Sequence, residues 1–77
     1  SVATAQKQLR AIEIIENAGL LDKIGHELTE SARLRLEHHS SSLSELAAMH
    51  EPPITKSTLN NRFAKIMKMA ENIASKK

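Results

Sequence analysis

The 77-residue chain has no cysteine, tryptophan or tyrosine, and Phe63 is its single aromatic residue. Without cysteine, neither a disulfide nor a thiolate metal site can reinforce the fold, which fits a reducing compartment. Scarce aromatics argue against a binder of single-stranded nucleic acid, since such proteins stack bases on aromatic rings. No apolar run approaches the roughly 20 residues of a membrane span. The start shows no charged segment leading into an apolar one, so no secretory signal is expected. The first residue is Ser1 rather than Met, and a piece of a longer protein is expected. Gly-rich phosphate loops, HExxH patterns and paired catalytic carboxylates are all missing. No catalytic residue, metal ligand, cofactor or small-molecule substrate is therefore expected, and the chain does not read as an enzyme. The histidines fit that view. His38 and His39 are adjacent and diverge by about 100° on a helix, while His26 and His50 are isolated, so solvated or capping roles are expected.

What is present is helical patterning and an uneven charge. Residues 1–54 carry five Lys/Arg against eight Asp/Glu, a net −3; residues 55–77 carry six against Glu71 alone, a net +5. Concentrated positive charge on one element is the footprint of a phosphate-binding surface. Helical spacing of Ala5, Leu9, Ile12 and Ile15 predicts a first helix from about Val2 to Asn17, with Gly19 as its stop. Leu20, Leu21 and Ile24 predict a short helical turn docked on the core. Leu28, Ala32 and Leu36, with Leu34 and Arg35 nearby, predict a second helix over about 27–38. Ser42 and Glu45 have capping-box spacing, so a third helix starts there, with Leu43, Leu46 and Ala47 inward. It ends before Pro52. Thr55 is a good N-cap for a fourth helix, whose Leu59, Phe63, Ile66, Ala70 and Ile73 form a continuous apolar seam. Met67 is expected near that seam and Met69 outside it. No strand pattern is present. The expected architecture is a single all-α domain over 1–77, with four to five helices and a helix-turn-helix at about 43–74.

A helix-turn-helix places its second helix in the major groove of DNA, with side chains near its start on base edges. Here that helix, about 56–74, opens with Thr55, Lys56, Ser57 and Thr58, where the helix dipole and free amides favour a phosphate. Asn60 and Asn61 can pair with adenine, and Arg62 or Lys65 with guanine or phosphate. Lys65 and Lys68 are expected on phosphates. An ordinary solvated face would also be polar, but adjacent asparagines are poor helix formers, a cost that a purely structural surface would avoid. The turn is longer than the tight form, and Ile54 is expected to fill the gap between the two helices.

These residues also carry a resemblance. Ala3-Thr4-Ala5-Gln6 with Gln8-Leu9, the run Ala32 to Glu37, Ser42 to Leu46, Pro52 to Ser57 and Asn60 to Phe63 resemble the C-terminal domain of the WhiA family of bacterial sporulation and cell-division regulators. The resemblance implies a fold similar to DNA-binding region 4 of sigma factors. It also implies a missing N-terminal part like a degenerate LAGLIDADG homing endonuclease, and a role as a transcription factor without nuclease activity. Double-stranded DNA in the cytoplasm, at the nucleoid, is then the expected partner. The alternative expectation is a module that docks on a sigma factor or RNA polymerase, motivated by the acidic N-terminal portion and an exposed Met69.

Overall fold

The structure, a computed structural model, describes residues 2–76. Four helices follow one another: α1 (Val2–Asn17), α2 (His26–Glu37), α3 (Leu43–Ala48) and α4 (Lys56–Ser75), with a 3-10 turn at Leu21–Lys23 between the first two. No strand occurs among the described residues. The predicted helices are therefore all present, and the architecture is all-α.

Local chemistry accounts for where the elements begin and end. Gly19 and Gly25 both have positive φ, +74° and +98°, a region that side chains with a Cβ avoid. They bracket the 3-10 turn, which Thr29 holds by donating its hydroxyl to the Leu21 carbonyl at 2.8 Å. The Ser42–Glu45 capping box forms in both directions. Thr55 caps α4 by accepting the Thr58 amide at 3.1 Å. Between α3 and α4, residues 49–55 make the turn. Ile54 closes it as expected: its amide donates to the Ala47 carbonyl at 3.1 Å and its half-buried side chain packs against the core.

The core is one cluster. Ile12 and Ile15 of α1, Leu21, Leu28 and Ala32, Leu46 and Ala47, and Leu59, Phe63, Ile66 and Ala70 of α4 are buried together. The last helix packs against each of the other three. Its 20 residues span about 30 Å at 1.5 Å per residue, most of the 36 Å long axis of the molecule. One side of α4 is thus the spine of the fold, and its other side runs unpacked along nearly the full length.

Several inner positions differ from the sequence reading. Leu9 and Leu36 are half-buried; Gln8, Ser31 and Arg35 are buried instead. On α2 the buried set is Leu28, Ser31, Ala32 and Arg35, an i, i+3, i+4, i+7 stripe. Hydroxyl and guanidinium sit where leucine was expected because each finds partners. Arg35 Nε donates to Gln8 Oε1 at 3.0 Å. Its Nη1 donates to the carbonyls of His38 at 3.1 Å and Ser41 at 2.7 Å. The guanidinium also lies over the Phe63 ring, 5.8 Å from its centroid, where the ring face attracts a cation. Burial lowers the Arg35 pKa from its ordinary value, but a guanidinium stays charged in proteins. Arg35 therefore ties the loop leading into α3 to both α1 and α4. The methionines also differ: Met69 packs half-buried against the core, and Met67 is exposed. Their burial is the reverse of the expectation, since the neighbouring helices decide which flank of the Phe63 seam is covered.

Candidate nucleic-acid interface

Eight of the nine residues singled out on and before α4 are exposed: Thr55, Lys56, Ser57, Thr58, Asn60, Asn61, Lys65 and Lys68. Their angular order follows from about 100° per residue. Opposite the Leu59–Phe63–Ile66 seam stand Ser57, Asn61, Lys65 and Lys68, one row along the helix. Lys56 and Asn60 lie about a quarter-turn away on the flank toward Met67. Asn60 and Asn61 consequently point in different directions and cannot face one base pair together. At the helix start, the Thr55 hydroxyl accepts the Thr58 amide and donates to Thr58 Oγ1 at 2.9 Å. Thr55 is thus occupied by its capping role, and the positive end of the helix is presented by Lys56 and Ser57.

Arg62 differs from the rest. Its side chain is 13% exposed and turned toward α2. Nη1 donates to the Glu27 carbonyl at 3.3 Å and to Ser31 Oγ at 3.2 Å. The Glu27 and Glu30 carboxylates lie at 3.5 and 3.8 Å. Its cation balances acidic residues that would otherwise repel an approaching phosphate. In this geometry Arg62 braces α4 against α2: Nη1 and Nη2 face acceptors on α2 rather than the exposed arc on which a base-reading or phosphate role was expected.

The brace continues inward. Ser31 and His50 are fully buried. Ser31 Oγ lies 2.8 Å from His50 Nε2, and His50 Nδ1 lies 2.8 Å from the Leu46 carbonyl. A carbonyl only accepts, so Nδ1 carries the proton. In the neutral ring Nε2 then accepts the Ser31 hydroxyl proton, and Ser31 Oγ remains free to accept from Arg62. A directed chain, Arg62 to Ser31 to His50 to Leu46, therefore links α4 through α2 to the end of α3. Every buried side-chain polar atom among the described residues has a partner. His50 is thus an internal strut: it caps the last turn of α3 through the Leu46 carbonyl, one of the two roles expected from sequence, but it is buried rather than solvated. A stripe reading of α2 could have found Ser31, since it is three residues from Leu28. Nothing in the sequence pairs it with His50, 19 positions away.

A small apolar residue also lies on this face. Ala64 lies between Asn60, Asn61 and Lys68, with its methyl in solvent.

The chain is 40% identical over 74 residues to a probable cell division protein WhiA of Salinispora tropica, covering 96% of this chain and 21% of that protein. It is 44% identical over 73 residues to the one from Carboxydothermus hydrogenoformans, covering 95% and 24%. To the one from Staphylococcus haemolyticus it is 41% identical over 76 residues, covering 97% and 24%. The chain thus spans under a quarter of the length of these relatives. No solved structure matches it. The sequence model for the WhiA C-terminal HTH domain matches residues 1–70, and the chain belongs to that family.

Proposed function

We infer that the chain is a duplex DNA-binding domain of a bacterial transcriptional regulator of cell division and sporulation, acting at the nucleoid, with α4 in the major groove. The observation that supports it is the two-sided α4. Its Leu59, Phe63, Ile66 and Ala70 are buried, while Lys56, Ser57, Asn60, Asn61, Lys65 and Lys68 are all exposed on the remaining arc. Lys56, Lys65 and Lys68 neutralise phosphates, Asn60 and Asn61 meet base edges, and Ser57 and Thr58 anchor the helix start. Arg62 holds α4 at its angle to α2 and α3. The docking reading, with a sigma factor or RNA polymerase as partner, rested in part on an exposed Met69, which is half-buried and packed against the core.

A salt series of fluorescence anisotropy with a random-sequence duplex tests the reading. Three phosphates neutralised give a log-log slope of about −2.7. Affinity then falls about fortyfold between roughly 50 and 200 mM salt. A flat salt dependence, or no binding at the lowest salt, would refute it. Binding to polymerase subunits with no affinity for duplex would favour the docking role instead.

A further inference from the structure

Most of the exposed face of α4 is polar, but apolar patches interrupt it, and one of them lies beside the lysine row. Ala64, Lys65, Lys68 and Met69 line a shallow recess with an almost wholly apolar wall. At i, i+1, i+4 and i+5 these residues outline one diamond on the helix surface. The Ala64 methyl, the Met69 side chain and the aliphatic lysine stems form the wall, and the ammonium groups can extend from its rim. Asn61 stands one turn before the recess, three residues from Ala64 and four from Lys65, and so lies in line with it.

We propose that this recess receives the 5-methyl group of a thymine, so that Asn61 and Ala64 together select A·T base pairs. The proposal rests on the duplex reading above and names what that surface prefers. Charge identifies the occupant: the rim carries Lys65 and Lys68, so the apolar group it suits arrives flanked by anions. Thymine offers a methyl group in the major groove beside its own phosphates, and an asparagine pairs with adenine at N6 and N7. One helical turn advances about 5.4 Å and base pairs are spaced about 3.4 Å. The methyl therefore belongs to a pair one or two steps from the adenine that Asn61 contacts.

The test uses the chain itself and a library of random duplexes at low salt. Sequencing of the bound fraction is expected to show enriched A·T pairs. In a bound duplex, replacing each thymine in turn with deoxyuridine removes one methyl group. At one position the affinity is expected to fall about fourfold, the worth of one buried methyl. In Ala64→Ser, with its fold checked by circular dichroism, thymine and deoxyuridine duplexes are expected to bind alike at that position. Enrichment of G·C pairs, indifference to deoxyuridine at every position, or full sensitivity in Ala64→Ser would overturn the proposal and leave DNA binding intact. Absence of any duplex binding would overturn both.

Discussion

Replacing Arg35 with methionine removes a buried cation of similar length, and its cost follows from the partners left behind. The buried Gln8 Oε1 loses its donor at 3.0 Å, and an orphaned buried acceptor costs about 1–3 kcal/mol. The Ser41 and His38 carbonyls lose theirs at 2.7 and 3.1 Å. Those two belong to a half-buried loop and can recover water, so roughly 1 kcal/mol covers both. The cation–ring contact with Phe63 adds about 0.5–1 kcal/mol. Against these, methionine has no charge to desolvate, which returns part of the loss. The expected net is about 2–3 kcal/mol. A 77-residue domain has roughly 4–12 kcal/mol in total at 0.05–0.15 kcal/mol per residue, so the change is large. Urea denaturation followed by circular dichroism, with a slope of about 1 kcal/mol per molar, should show the midpoint lower by about 2–3 M. The double variant Gln8→Met with Arg35→Met has no orphaned amide. It should be at least about 1 kcal/mol more stable than the two single losses added together. If Arg35→Met is as stable as the parent, desolvation outweighs the hydrogen bonds and the reasoning fails. Strict additivity of the pair would refute the Gln8 part alone.

Two further outcomes are expected. Arg62→Met should lower stability by about 1–2 kcal/mol, since Ser31 and the Glu27 carbonyl lose a charged donor, while the DNA salt slope stays as in the parent; a slope reduced by about 0.9 would instead assign Arg62 to a phosphate. The Ser42 amide, followed by the Ser42 hydroxyl, holds the Glu45 carboxyl below the ordinary glutamate value. Between that depressed value and the ordinary one the unfolded chain binds more protons, so stability rises with pH there. The capping contribution is complete above the ordinary glutamate range and is lost as pH falls through the depressed value. Thermal melts from about pH 6 to about pH 3 should show the advantage of the parent over Glu45→Gln shrinking; an advantage that is constant or grows toward acid contradicts the capping assignment.

Much of the fold follows from local rules, and those parts were legible. The extent of α1, the stop at Gly19, the capping box at Ser42 and Glu45, the Thr55 cap and the Leu59–Phe63–Ile66–Ala70 seam are built from steps of three or four residues along the chain. Backbone amides at helix ends and a 3.6-residue period make such features readable along the chain. The exposed arc of α4 followed as the complement of its seam.

Only the tertiary structure decided what the buried polar groups do. Periodicity marks which face turns inward, but not whether a hydroxyl, an imidazole or a guanidinium on that face will find a partner. Ser31 meets His50 from 19 positions away, Arg35 meets Gln8 from 27, and Arg62 meets Ser31 from 31. Those pairings are energetically permitted only because each donor has its acceptor in place once the helices are packed. They take Arg62 from the outward-facing set and make His50 a strut. The sequence by itself determined the helices and the polar arc of α4; helix packing determined which side chains of that arc remain free, because long-range partners exist only after the chain has folded.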